Sequence, residues 1–346
     1  MWWRRTLSSS YRCYLERRRS GAKIWRCLTR PTCGAPAVPA GRITALQALD
    51  VWKRHFVENG VTEPEQSSQH IIAHLLGAKT IESVEQQRLA EFLSKEETQQ
   101  VWRLCSKRLS RMPVQFIIEE WDFRDLTLKM RPPVFIPRPE TEELVELVLT
   151  DLQNHPGSTE TPPTCLEVGC GSGAISLSLL KSLPQLEAFA LERSQDAVDL
   201  SRENASRLGL QDRLKVYHMD VIKEDMATLE PEISRFEDRA ALDGGEDGLN
   251  VIRQILTLAP DFLSNRGRIY LEVDPRHPAL IRRWVEDNVE ELRFVETRQD
   301  VSGLVSASSR KRSHIRPLRW IRIEKPRSYY AGFSSGRLGS ARPPHT

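Results

Sequence analysis

Residues 164–180 read Thr164-Cys-Leu-Glu-Val-Gly-Cys-Gly-Ser-Gly-Ala-Ile-Ser-Leu-Ser-Leu-Leu180, which is a short apolar run, a glycine-dense turn and an amphipathic run. The pattern predicts a strand, a tight turn and then a helix. Gly169, Gly171 and Gly173 lack a Cβ, so the turn can bend sharply and a ligand can approach its backbone closely. The helix that follows directs its unpaired N–H groups and its positive dipole end toward the same space.

A second strand-like run, Glu187-Ala-Phe-Ala-Leu-Glu192, ends on an acid 23 residues after Gly169. A carboxylate at this position can accept hydrogen bonds from ribose hydroxyls, which indicates a site for a nucleoside cofactor. The glycines follow the pattern Gly-x-Gly-x-Gly, with Glu167 two residues before them, and this resembles the S-adenosylmethionine site of Rossmann-like methyltransferases. A nicotinamide-binding oxidoreductase is a weaker alternative, and a glycine turn used for packing alone is another.

Strands and helices alternate around this segment. We predict strands at 165–168, 187–192, 213–218, 267–273 and 291–297, and a last strand at 318–323. Predicted helices lie at 174–183, 195–208, 247–263 and 278–288. Such alternation indicates an α/β fold whose mostly parallel sheet is covered by helices on both faces.

The chain before this region has a different pattern. Apolar residues recur at three- and four-residue steps between residues 43 and 112, which predicts a small helical domain. Residues 113–163 alternate, are broken by prolines and predict a hairpin connector with a linker helix. In that helix, Glu142–Leu152, Thr141 is the expected N-terminal cap.

Charge is distributed unevenly along the chain. Residues 1–42 hold ten Lys and Arg against one acid, and residues 301–346 hold the same numbers. Because the whole chain carries +3, residues 43–300 carry −15. An acidic middle argues against nucleic acid as the main partner and suits a basic protein, since phosphate binding needs basic grooves. A solvated surface without a specific partner fits equally well.

The first 19 residues are rich in Arg and Ser and contain one acid, as in mitochondrial transit peptides. We therefore predict a transit peptide and linker over 1–42; a basic nucleic-acid arm or plain disorder are alternatives. The six cysteines show no Cys-x-x-Cys and no metal spacing, which indicates a reduced compartment and no metal site. The chain contains no run of 18 apolar residues, so we predict no membrane span. Residues 326–346 are predicted to form a disordered basic tail.

Taken together, residues 43–300 resemble the HemK/PrmC family of protein-(glutamine-N5) methyltransferases in its mitochondrial form. The resemblance is carried by Phe135-Ile-Pro-Arg-Pro-Glu-Thr-Glu-Glu-Leu144, Leu166-Glu-Val-Gly-Cys-Gly-Ser-Gly-Ala174 and Ala241-Leu-Asp-Gly-Gly-Glu-Asp-Gly-Leu249. It implies a helical domain before a Rossmann-like methyltransferase domain, here residues 164–325. It also implies S-adenosyl-L-methionine as cofactor, a monomer, the mitochondrial matrix as location, and methylation of the Gly-Gly-Gln glutamine of peptide-chain release factors.

The resemblance also implies site residues. The cofactor-binding set is Gly169, Cys170, Gly171, Ser172, Gly173, Glu192 and Asp220. The substrate-pocket set is Phe135, Pro137, Arg138, Pro139, Glu140 and Thr141. For Asp220, a packing role at a strand end is an equally good interpretation.

The chain departs from the family at one place, because it contains no Asn-Pro-Pro-Tyr, the family's catalytic tetrapeptide. Residues 220–232 also contain no apolar run long enough for a buried strand. We therefore expect a sheet without its fourth strand and no catalytic residues, as alternative splicing would produce. Three functions stay open: an active glutamine methyltransferase, a catalytically impaired isoform that at most binds, and a nucleic-acid adenine-N6 methyltransferase.

Overall fold

The computed structural model describes residues 13–17, 23–27, 34–154, 162–221, 249–299 and 319–326. The chain forms two compact units, Met1–Glu119 and Glu120–Thr346. More than half of the predicted transit peptide and linker (1–42), residues 155–161 of the predicted connector, and residues 222–248 lie outside the described residues, as does nearly all of the predicted C-terminal tail. Within the described part, no helix has the length and apolar character needed to cross a membrane.

The first unit is mainly helical, as its periodicity predicts. Its elements are β1 (Cys13–Arg17) and β2 (Lys23–Cys27), which pair antiparallel, α1 (Ala45–Glu58), α2 (Pro64–Leu75), a 3₁₀ turn (Ile81–Ser83), α3 (Gln86–Ala90), α4 (Lys95–Leu109) and α5 (Val114–Ile118). Capping boxes start α1 at Thr44 and α4 at Ser94. Trp52, Phe56 and Ile71 are fully buried, so the apolar stripes of the helices form the core.

The start of the predicted connector is helical rather than extended. The short helix α5 (Val114–Ile118) begins after Pro113 and buries Val114 and Ile117. These two residues are three positions apart and share one helical face, so their burial favours a helix over alternation. The predicted hairpin follows as β3 (Glu120–Phe123) and β4 (Leu126–Lys129), paired antiparallel.

The linker helix begins earlier than its predicted cap. Helix α6 extends over Pro139–Asn154, so Thr141 lies inside its first turn and donates its backbone N–H to the Arg138 carbonyl at 3.0 Å. Proline is favoured at the first position of a helix because its fixed φ suits the helix and its missing N–H would be unpaired there. The prediction of Thr141 as the cap was therefore wrong.

The second unit opens with a parallel three-stranded sheet. Its elements are β5 (Thr164–Val168), α7 (Ala174–Ser182), β6 (Glu187–Glu192), α8 (Gln195–Arg207) and β7 (Leu214–His218). The strand order is β5-β6-β7 with both pairs parallel. These elements confirm the predicted ones to within one residue at each end.

A second three-stranded sheet follows. Its elements are α9 (Asn250–Phe262), β8 (Arg268–Val273), α10 (His277–Asn288), β9 (Arg293–Gln299) and β10 (Arg319–Glu324). The order is β8-β10-β9, and β10 runs antiparallel to both neighbours. The expectation of a mostly parallel sheet was wrong for this half, because the last strand enters between β8 and β9 in the opposite direction.

Within the described residues, β5 and β8 each pair along one edge only. Leu166, in the middle of β5, is 45% exposed, and every residue of β8 except Val273 is partly exposed. Interior strands of parallel sheets are normally buried on both faces. Residues 222–248, which follow β7 along the chain, lie outside the described residues, so the absence of a fourth strand stays a prediction.

Two helices of the second unit, α6 and α9, pack beside its sheets. Leu144 and Leu147 of α6 pack with Tyr270 and Trp320 of the second sheet and with Ile175 of α7. On α9, Ile255 and Leu258 pack with Leu191 and Val168 of the first sheet, while Leu256 and Ala259 join the core of the second. Helix α9 therefore contacts both sheets of the second unit, and α6 contacts the second sheet and α7.

Candidate cofactor and substrate site

The glycine turn follows β5 and has the geometry of an open cradle. Gly169 and Gly171 have positive φ values of 79° and 56°, which side chains rarely adopt. A Cβ built on either residue would meet nothing within 4 Å, so the space beside their backbone is open. Gly169 donates its N–H to the Leu191 carbonyl at 2.7 Å, which fixes the turn to β6.

Gly173 serves a different purpose from the other two glycines. A Cβ at Gly173 would lie 2.6 Å from Ser201 Oγ, so this glycine allows α7 to approach α8 closely. Cys170 and Ser172 are buried in the turn, and Cys170 Sγ lies 3.9 Å from Ser201 Oγ. Burial raises the pKa of Cys170 to about 12, so its thiol is neutral and packs as a small side chain.

Glu192 connects the end of β6 to the glycine turn. Its carboxylate accepts the Gly171 N–H at 2.9 Å and the Ser194 N–H at 2.9 Å. His218 of β7 lies opposite Glu192 of β6 in the sheet. Asp220 lies two residues further along the chain and is half-buried. The turn, Glu192 and Asp220 thus lie together at the carboxyl edge of three parallel strands, where ligands bind in open α/β sheets.

Glu167 supports the turn from within β5. Its carboxylate accepts hydrogen bonds from the backbone N–H of Ser176 at 3.0 Å and from the Ser176 hydroxyl. Burial raises the pKa of Glu167 to about 7; the hydrogen bonds from Ser176 act in the opposite direction, and the charge of Glu192 adds a smaller increase. Glu167 therefore anchors the first turn of α7 from the preceding strand.

The substrate-pocket set is divided between a loop and a helix. Phe135 is 66% exposed, and the Arg138 guanidinium carbon lies 5.0 Å from the centre of its ring. Pro137 is half-buried in the same loop, while Pro139, Glu140 and Thr141 form the first turn of α6. The loop thus presents an exposed aromatic ring stacked with a cation.

Helix α8 contacts both the connector and the glycine turn. On the connector side, Val134 packs against Ala197 and Leu200, and Arg131 forms an ion pair with Glu203. Asn204 reaches both sides. It is not among the site residues predicted from the sequence. Its signal was a polar residue at helical spacing on the apolar face of 195–208, where burial requires hydrogen-bond partners.

Comparisons with known proteins agree with this geometry. A family model described as "Methyltransferase small domain" matches residues 126–300, and one described as "PrmC N-terminal domain" matches residues 47–118. The chain is 44% identical over 291 residues to the human "MTRF1L release factor glutamine methyltransferase", covering 76% of this chain and 86% of that protein. It is 36% identical over 229 residues to the Streptococcus pneumoniae "Release factor glutamine methyltransferase", covering 62% and 80%.

The fold and the glycine site define a Rossmann-like methyltransferase whose cofactor is S-adenosyl-L-methionine. The matches over both units identify the family within this class. The chain belongs to the HemK/PrmC family of protein-(glutamine-N5) methyltransferases.

Proposed function

We propose that this chain methylates the side-chain nitrogen of the glutamine in the Gly-Gly-Gln motif of mitochondrial peptide-chain release factors. The observation that carries the proposal is the open glycine cradle with Glu192 at its edge, in a chain related over both units to release factor glutamine methyltransferases. Bound S-adenosylmethionine supplies an activated methyl group. No metal ion or covalent intermediate is needed for its transfer to nitrogen.

The cofactor-binding residues have distinct roles in this proposal. Gly169 and Gly171 leave space for close approach to the backbone, and Cys170, Ser172 and Gly173 hold the shape of the turn. Glu192 accepts hydrogen bonds from the ribose hydroxyls, and Asp220 neighbours the adenine. Both acids lie at the carboxyl edge of the first sheet, which supports this assignment.

The substrate set holds the glutamine-bearing loop of the release factor. A glutamine amide nitrogen is a poor nucleophile because its lone pair is delocalised into the carbonyl, so the site must align it with the methyl group. Phe135 and Arg138 provide an exposed stacked surface, and Pro137, Pro139, Glu140 and Thr141 form the wall next to it. A basic release factor also suits the charge of −15 on residues 43–300.

A second candidate function is binding without efficient turnover, and the absence of Asn-Pro-Pro-Tyr favours it. In the family, the Asn side chain and a proline carbonyl accept the two N–H bonds of the substrate amide. Loss of one such preorganised group typically lowers kcat about 10²–10³-fold. Residues 220–232 also contain no apolar run long enough for the strand that precedes this tetrapeptide in the family, which supports the same candidate.

Cellular context follows from the same proposal. We place the chain in the mitochondrial matrix, with residues 1–42 as transit peptide and linker, and we attribute the missing strand to alternative splicing. The chain acts as a monomer. The Arg-rich composition of the first 19 residues and the intact flanks of the missing segment support these assignments.

Methyl-labelled S-adenosylmethionine tests the proposal. The chain without residues 1–42 is incubated with a mitochondrial release factor, with the same factor carrying Gln→Ala in Gly-Gly-Gln, and with mitochondrial RNA. Label on the wild-type factor alone is expected. Cofactor binding without any label favours the binding function, and label on RNA instead of protein supports the adenine-N6 alternative.

A further inference from the structure

Asn204 of α8 makes three hydrogen bonds to two separate backbone segments. Its Oδ1 accepts the Lys129 N–H at 2.7 Å, and its Nδ2 donates to the Lys129 carbonyl at 3.2 Å. The same Nδ2 donates to the Ser172 carbonyl at 3.0 Å. The side chain is 1% exposed, so every polar atom of the amide is buried and paired.

The two segments lead to different parts of the site. Lys129 is the last residue of β4, and the chain continues from it into the loop that contains Phe135 and Arg138. Ser172 lies between Gly171 and Gly173 in the cofactor turn. One amide therefore fixes the distance between the start of the substrate loop and the middle of the cofactor turn.

We propose that Asn204 is a positioning residue that holds the glycine turn and the substrate loop in one arrangement. A buried amide with three partners is costly to replace, because each lost partner leaves a desolvated backbone group. Neighbouring contacts act in the same direction: Ser201 packs below Gly173, and Glu203 pairs with Arg131. The inference goes beyond the proposed function, since it holds whether or not methyl transfer occurs.

Hydrogen exchange in the cofactor-free protein tests this role. Asn204→Asp keeps the size of the side chain and the acceptor for Lys129 N–H, but places an oxygen against two carbonyls. We expect the rate of amide exchange to increase about tenfold or more in the segments 127–134 and 169–176. Local opening allows these amides to exchange, and the substitution lowers the free energy of that opening. Exchange of 214–218 in β7 should not change.

A matched control is Asn288→Asp, the same change at an exposed amide of α10 that donates only to the Trp284 carbonyl. It should leave exchange in both segments as in the wild type. If Asn204→Asp does not fold, Asn204→Ser removes part of the network without adding charge and gives the same comparison.

Calorimetric titration with S-adenosylhomocysteine provides the second readout. Asn204→Asp should raise Kd about tenfold at a temperature where the variant is fully folded, and Asn288→Asp should not. Unchanged exchange in 169–176 would overturn the proposal. Equal acceleration of all segments, β7 included, would also overturn it, since Asn204 would then contribute only to general stability.

Discussion

At the scale of single residues, two carboxylates on adjacent strands hold the cofactor turn. Glu192, at the end of β6, accepts a hydrogen bond from the Gly171 N–H. Glu167, within β5, accepts one from the Ser176 N–H. Glu167 lies within β5, where burial raises its pKa to about 7, and Glu192 lies at the end of β6. Only Glu192 lies at the sheet edge where a ribose would bind, so the two acids should respond differently to substitution.

Glu192→Ala should weaken the binding of S-adenosylhomocysteine about tenfold or more. Hydrogen bonds to charged groups contribute about 1.5–3 kcal/mol, and 1.4 kcal/mol corresponds to tenfold in Kd. Glu187→Ala, at the exposed opposite end of β6, is the control and should leave Kd unchanged. Calorimetry measures both Kd values. Equal values for Glu192→Ala and the wild type would show that Glu192 does not contribute to cofactor binding.

Glu167 predicts a pH dependence of stability. Its folded pKa of about 7 lies above the ordinary value of 4.5, so the folded protein binds the proton more tightly than the unfolded chain. The contribution of this protonation to the free energy of unfolding is therefore fully present below pH 4.5 and is lost as the pH rises through 7. Glu167→Gln removes this pH dependence. The Tm of the variant minus the Tm of the wild type should therefore increase from pH 5 to pH 8. A constant Tm difference over this range contradicts the prediction.

At the scale of elements, α6 is fixed to the second sheet by a buried ion cluster. Asp151 of α6 accepts from the Tyr270 hydroxyl, pairs with Arg322 at 2.5 Å and lies 3.3 Å from Arg268. Its side chain is only 6% exposed, and those of the two arginines are 13% and 15% exposed. The cluster joins the helix that follows the substrate loop to β8 and β10.

Asp151→Asn should lower the free energy of unfolding by about 1.5–3 kcal/mol, because the buried Tyr270 hydroxyl loses a charged acceptor. The two arginines keep their pairs with Glu296 and Glu324, which limits the loss. Urea unfolding measures the change. Glu146→Gln is the control on the same helix, since its ion pair with Arg124 is largely exposed on the Glu146 side. It should change stability by about 1 kcal/mol or less. A similar effect of both variants would show that the cluster adds nothing beyond surface pairing.

These elements show what the sequence could and could not predict. Periodicity located β5, α7 and β6 because each lies on a clear apolar pattern of period 2 or 3.6. It did not predict that β10 inserts antiparallel between β8 and β9, since pairing partners far apart in sequence leave no local signal. The Asp151 cluster was missed for the same reason. Asn204 has a local signal, a polar residue on the apolar face of α8, but its partners Lys129 and Ser172 are far away in sequence.

At the scale of the whole molecule, the described part of the second unit holds two three-stranded sheets. Helix α9 contacts both sheets, and α6 contacts the second sheet and α7. The predicted losses of the fourth strand and of Asn-Pro-Pro-Tyr fall in the same part of the chain, between β7 and α9. Stability and turnover should therefore depend on the same missing segment.

Inserting an apolar strand segment that ends in Asn-Pro-Pro-Tyr between Asp220 and Leu249 should raise both Tm and the rate of methyl transfer. The strand would pair with β5 and cover Leu166, and the turn would supply the amide acceptors. Thermal unfolding and initial rates measure the two effects. A Gly/Ser insert of equal length is the control, and equal gains from both inserts would contradict the prediction.

The most direct test of the proposed function is the initial rate of labelled methyl transfer to the release factor, compared with that of the human relative. We predict transfer that requires the Gly-Gly-Gln glutamine, at a rate at least about 10³-fold below the relative, because more than one amide acceptor is absent and each contributes about 10²–10³-fold. A rate within tenfold of the relative would show that the missing turn is not needed. No glutamine-dependent transfer by a chain that still binds S-adenosylhomocysteine would contradict the proposed methyltransferase function.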